Sequence, residues 1–143
     1  PGHLGRLGLE ASVVFHKGIE SPAITELYAS CQVACVPSLY EGFSLPAIEA
    51  MACGVPLVAT DGGALPEVVG TDGEAGLLVP AGDPGALAGA LARVLDDPDL
   101  RARLGDAGRV RVLERFTWRR CAEATVAHYR AAIADHAERS GRG

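Results

Sequence analysis

The chain has 143 residues, 48% hydrophobic and 22% charged, with a net charge of −5. That size accommodates one α/β domain with its own core and excludes a mainly disordered polymer. The acidic balance argues against a nucleic-acid partner, which needs clustered Lys and Arg, and no apolar run approaches the roughly 20 residues of a membrane span.

Residues 1–6 carry no hydrophobic signal core and do not open with Met, so the sequence is expected to be a piece of a longer protein. Ser12-Val13-Val14-Phe15 is the first predicted strand. A helix follows, with Ser21 as N-cap, Pro22 at the first helical position and Ile24, Leu27, Tyr28 and Cys31 on one face. Gln32-Val33-Ala34-Cys35-Val36 reads as a strand buried on both faces of a parallel sheet. The loop 37–44 leads into a short helix from Pro46 to about Cys53, stopped by Gly54. Leu57-Val58-Ala59 is the third strand, followed by the Asp61-Gly62-Gly63 turn and a short helix through Glu67. Gly76-Leu77-Leu78-Val79 is the fourth strand.

Asp83 then caps a helix in which Leu87, Leu91, Val94 and Leu95 recur at helical spacing. From Asp97 onward the chain reads as helical, with Gly105 and Gly108 as weak points. Thr117 caps a final long helix whose Trp118, Ala122, Val126, Tyr129 and Ile133 share one stripe. Arg109, Arg111 and the basic residues within 115–120 read as solvated helix faces, and residues 140–143 are expected to fray. The four cysteines (Cys31, Cys35, Cys53, Cys121) and the scattered histidines lack metal-ligand spacing, so the expectation is buried free thiols, a cytoplasmic location and no metal.

Strands alternating with helices predict an α/β fold: a parallel sheet with flanking helices and a helical C-terminal tail. Such sheets bind ligands beyond the carboxyl ends of their strands. The loops after Phe15, Val36 and Ala59 share that edge. The segment 41–49 lies on it, with two carboxylates, Glu41 and Glu49, eight residues apart. Backbone N–H groups at the helix start near Ser44 to Ala47 have no intrahelical acceptors, and with the helix dipole they suit an anion such as a diphosphate. Gly42 admits a ligand close to the backbone. Glu49 can accept two hydrogen bonds from a vicinal diol such as a ribose, and Glu41 from the hydroxyls of a sugar. On spacing alone Glu49 equally serves as a first-turn complement to the dipole, Glu41 as a solvated loop residue, and Phe43 as a plug between loop and sheet.

The whole stretch 37–56, PSLYEGFSLPAIEAMACGVP, resembles the E-x7-E signature region of family 4 glycosyltransferases, also called group 1. The resemblance continues through Asp61-Gly62-Gly63-Ala64-Leu65-Pro66-Glu67, Gly76-Leu77-Leu78-Val79-Pro80 and Phe116-Thr117-Trp118, nearly the whole chain in order. It implies the GT-B architecture of two Rossmann-like domains across a cleft. Residues 1–143 would then be a partial nucleotide-sugar donor-binding domain, with C-terminal helices from about 98 to 137. The implied activity is retaining transfer from a nucleoside-diphosphate sugar to an acceptor hydroxyl, by a front-face substitution with no metal. In that pattern Glu41 is the catalytic carboxylate, contacting donor-sugar hydroxyls and supporting positive charge at the anomeric carbon. Gly42, Phe43, Ser44 and Leu45 approach the sugar and diphosphate, Glu49 binds the ribose, and His16, Lys17 and Gly18 lie near the base. The Gly62-Gly63 turn and Glu67 shape the site.

The family's diphosphate-binding Arg and Lys sit in a Gly-Arg…Lys-Gly loop that this sequence lacks, and Lys17 is not its equivalent. The resemblance therefore implies truncation, with two strands and the acceptor-binding N-terminal domain missing, and any peripheral membrane contact belonging to that domain. The isolated piece is expected to be inactive or nearly so. Its missing strands would leave a sheet edge open, hence the hypothesis of marginal stability or self-association. Sharp cooperative unfolding of a dilute monomer would sink that hypothesis. The alternatives are a non-catalytic nucleotide or sugar-phosphate module and a sugar-nucleotide epimerase of the same architecture.

Overall fold

The computed structural model describes residues 2–140. Three strands, β1 (Ala34–Val36), β2 (Leu57–Thr60) and β3 (Leu77–Val79), form a parallel sheet in the order β1-β2-β3. Ala34 lies opposite Leu57, and Val58 opposite Leu77. Successive side chains of a strand point to opposite faces, so Leu57 and Ala59 enter one core while Val58 enters the other.

Among the described residues, seven α-helices accompany the sheet: α1 (Gly2–Leu7), α2 (Ser21–Ala29), α3 (Leu45–Ala52), α4 (Leu65–Val69), α5 (Pro84–Asp96), α6 (Pro98–Arg115) and α7 (Trp118–Ser140). Ala47 and Met51 of α3, with Leu65, Val68 and Val69 of α4, cover one sheet face. Val94 of α5 covers the other. Helix α6 serves both, giving Leu100 and Leu104 to the second core and Val112 to the first. Met51, Leu57, Val58 and Leu65 are wholly buried, each contributing about 1.5–3 kcal/mol by transfer from water. Asp83 and Asp97 start α5 and α6 as expected, each accepting a 2.9 Å bond from the backbone N–H three residues on.

Several expectations are corrected. No strand forms at 12–15. A 3₁₀ turn (Glu10–Ser12) precedes an extended Val13, and Val14 and Phe15 stand about three-quarters exposed. A strand needs a backbone partner, and the described residues supply none there. The strand expected over 32–36 shortens to β1, an edge strand with Cys35 exposed, while β2 is the fully buried one. Helix α2 takes Glu20, not Ser21, as its cap residue. The thiols are free, but Cys31, Cys35 and Cys121 are exposed and Cys53 is half-buried, because three of them lie on a helix end, an open edge and an unpacked helix.

Gly105 and Gly108 do not interrupt α6. A Cβ on Gly105 would stand 2.3 Å from the Gly54 carbonyl oxygen, so the missing side chain lets α6 lie against the end of α3. Helix α7 buries no residue, and its predicted apolar stripe is open, with Trp118 90%, Tyr129 68% and Ile133 70% exposed. The fraying expected at 141–143 lies outside the described residues, whereas Ser140 ends α7. No helix among the described residues is long and apolar enough to cross a membrane.

Arg109 is exposed as expected and Arg111 is half-buried, but both also bond to neighbouring helices. Arg109 Nη1 donates to the Ala52 carbonyl at the end of α3. Arg111 donates to the Val68 and Glu67 carbonyls of α4 at 2.7 and 2.8 Å. Arg101 does the same for α5 through the Val94 carbonyl at 3.0 Å and the Leu95 carbonyl. Orphan carbonyls at helix C-termini attract cations. One helix thus caps three others.

Candidate functional site

Two loops meet at the carboxyl edge of the sheet: residues 37–44 after β1 and 61–64 after β2. They are interlocked. The Thr60 hydroxyl donates to the Ser38 carbonyl, and the Ala64 N–H donates to the Glu41 carbonyl at 2.8 Å. The contact depends on two glycines. A Cβ on Gly62 would stand 2.5 Å from the Leu39 carbonyl oxygen, and one on Gly63 2.2 Å from that of Glu41. Asp61 anchors the second loop by accepting from the Ala81 N–H at 2.8 Å.

Glu41 is half-buried, and its Oε1 accepts from the Ser38 hydroxyl at 2.7 Å. The loop glutamate is therefore oriented, unlike a solvated one. Gly42 is exposed and a Cβ there would meet nothing, so the chain is open to a ligand at that point. Phe43 meets Phe116 in a tilted contact, with ring centroids 6.2 Å apart and the planes at 59°. The plug it forms closes on the α6–α7 junction rather than on the sheet.

Ser44 is the N-cap residue of α3, and Pro46 sits in the first turn. The first intrahelical bond runs from the Ile48 N–H to the Ser44 carbonyl at 3.3 Å. The Leu45 and Ala47 N–H groups, at the positive end of the helix, have no acceptor within it. The Ser44 Oγ is fully buried and makes no hydrogen bond. A buried hydroxyl without a partner costs about 1–3 kcal/mol.

Glu49 falls in the second turn of α3, not the first, so dipole complementarity does not account for it. Exposed, it lines a cavity of about 440 Å³ with Ile19, Ile24, Tyr28, Val36 and Pro46, between α2, α3 and the open edge of β1. Burial, and next the Glu49 charge, push the Tyr28 phenol above its ordinary pKa. His16, Lys17 and Gly18 are exposed and immediately precede Ile19, which reaches that cavity. Glu41 through Leu45 thus share one loop and helix start, Glu49 faces a separate groove on the same helix, and residues 16–18 precede that groove's Ile19 in the chain without lining it. Two contributors had no assigned role in the sequence reading: Ser38, whose signal is a hydroxyl three residues before Glu41, and Thr60, whose signal is a polar residue ending an otherwise apolar strand.

Known proteins resemble this chain in sequence and fold. The family model described as glycosyl transferases group 1 matches residues 3–111. Over 131 residues the chain is 51% identical to the MMP alpha-(1->4)-mannosyltransferase of Mycolicibacterium hassiacum, covering 92% of this chain and 32% of the relative. The sucrose-phosphate synthase of Thermosynechococcus elongatus superposes with a TM-score of 0.84 at 40% identity, over 94% of this chain and 33% of that one. Anabaena HepE in complex with UDP-glucose follows with a TM-score of 0.78 at 28% identity, over 88% and 35%. The chain spans about a third of the length of these relatives. The expected parallel sheet, flanking helices and helical tail of a GT-B C-terminal domain are those observed. By its matched span and its fold, the chain belongs to the group 1 glycosyl transferases.

Proposed function

We propose that this chain is the nucleotide-sugar-binding part of a retaining glycosyltransferase of the GT4 family, which moves a sugar from a nucleoside diphosphate to an acceptor hydroxyl. The observation that carries the reading is the interlocked loop at the start of α3. It presents an oriented carboxylate, Glu41, beside helix-start amides that lack acceptors within α3. Glu41 meets the sugar hydroxyls and supports positive charge at the anomeric carbon as the diphosphate departs. The amides of residues 42–45 and the α3 dipole hold the diphosphate. Glu49, in its groove beside Tyr28, takes the ribose diol, and His16, Lys17 and Gly18 border the base.

In this reading residues 1–143 form one partial donor domain, truncated on its N-terminal side, of a cytoplasmic enzyme that uses no metal. Acceptor binding and turnover belong to the larger protein, since the relatives are about three times as long. HepE was crystallised with UDP-glucose, which makes UDP the first probe. Titration calorimetry of the intact chain should show UDP binding that falls at least about tenfold in Glu49→Ala, the loss expected for two hydrogen bonds to a charged group. Undiminished binding in that variant, or no binding of UDP or GDP to the intact chain, would refute the assignment.

A further inference from the structure

Ser38 joins two constraints. Its hydroxyl donates to Glu41 Oε1 at 2.7 Å. Its carbonyl accepts from the hydroxyl of Thr60, a residue at the end of the fully buried β2 and only 3% exposed. The serine is therefore tied to the sheet through its backbone and to the carboxylate through its side chain. The Glu41 backbone is fixed separately by the Ala64 N–H.

A glutamate side chain in a loop samples many rotamers, and ordering it costs entropy at the moment of binding. A hydroxyl held by the sheet removes much of that freedom beforehand. It also engages one acceptor site of Oε1, leaving Oε2 available to a ligand hydroxyl. Hydrogen bonds to an ionised carboxylate are stronger than neutral ones, so the orientation persists.

Resting on the donor-site reading of Glu41, we propose that Ser38 is a positioning residue that sets the Glu41 rotamer and thereby the recognition of the donor sugar. Thr60 holds Ser38 in place. The nucleotide end of the site does not depend on either.

The test is calorimetry on the intact chain with UDP and UDP-glucose, and with GDP and GDP-mannose as a second pair. The readout is the ratio of nucleotide-sugar to nucleotide affinity. Ser38→Ala should lower that ratio at least about fivefold while leaving nucleotide affinity unchanged. Ser38→Thr, which keeps the hydroxyl, should restore it. In a Glu41→Ala background the Ser38→Ala change should add nothing, because the two residues act as one unit. A merely structural serine would weaken nucleotide and nucleotide-sugar alike, and its effect would add to that of Glu41→Ala. Thr60→Val preserves shape and should repeat the Ser38→Ala pattern, which keeps the test open if Ser38→Ala fails to fold. A ratio unchanged in Ser38→Ala but lost in Glu41→Ala overturns the positioning role and leaves the donor site standing. No binding by either pair, or a ratio indifferent to Glu41→Ala, overturns the donor-site reading and this proposal with it.

Discussion

A methyl group on Gly63 would stand 2.2 Å from the carbonyl oxygen of Glu41 and 2.9 Å from its backbone nitrogen. The position also has φ +65, in the left-handed region that other residues enter at a cost. The glycine turn after β2 is thus the surface against which the Glu41 loop is moulded.

Gly63→Ala should destabilise the chain by about 1–3 kcal/mol, from strain plus displacement of the loop. Gly42, whose φ is not positive and whose Cβ would meet nothing, provides the contrast. Gly42→Ala should change stability by no more than about 0.5 kcal/mol. Urea unfolding of both variants checks the difference, and equal midpoints would remove the turn from the account.

Arg111 makes two bonds to the last carbonyls of α4, at 2.7 Å to Val68 and 2.8 Å to Glu67. Arg111→Ala should cost about 1–3 kcal/mol, since Val68 is buried and its carbonyl would lose a charged donor. Arg111→Lys should recover only part of this, because an ammonium cannot reproduce the planar fork. Thermal melts of the three proteins give the ranking, and indistinguishable melts would show that water replaces the cap.

Tyr28 gives a pH dependence with a definite sign. Its phenol titrates above 10.0 in the folded chain, first because of burial and next because of Glu49. The folded state therefore holds that proton more tightly than the unfolded state. The associated stability is fully present below the unfolded phenol value and is lost as pH rises through the folded one. Glu49→Ala removes the second cause. In that variant ultraviolet titration should show phenol ionisation moving down toward 10.0 without reaching it, as burial remains. An unmoved titration would mean that Glu49 does not face Tyr28.

The sheet and its helices were legible because their signals are local. Asp83-Pro84 and Asp97-Pro98 announce helix starts through bonds within one turn, and Leu57-Val58-Ala59 reads as a strand from its apolar residues, although the full burial expected at 32–36 falls on it instead. The stretch 41–45 was legible because one loop and one helix start hold it together, whereas Glu49 turns to a separate groove on the same helix. What escaped the sequence depends on neighbours. Val13-Val14-Phe15 has the residues of a strand but no pairing partner among the described residues. Arg109 and Arg111 resemble any exposed helix arginine until α3 and α4 lie beside them. Gly105 counts against a helix by propensity, yet tertiary contact with Gly54 reverses its meaning.

The caps supplied by α6 also bear on the order in which the molecule assembles. The Arg109 contact with Ala52 closes 57 residues of chain, and that of Arg111 with Val68 closes 43. Loops of that length must close before such contacts reward the chain, so they belong to the slow, non-local part of folding. Helix α3 can form its turns early from local bonds, but its far end is fastened only when α6 docks. The 37–44 loop at its near end is therefore expected to take its final shape late, and a chain interrupted before Arg111 to carry the motif without the contacts that fasten α3 and α4.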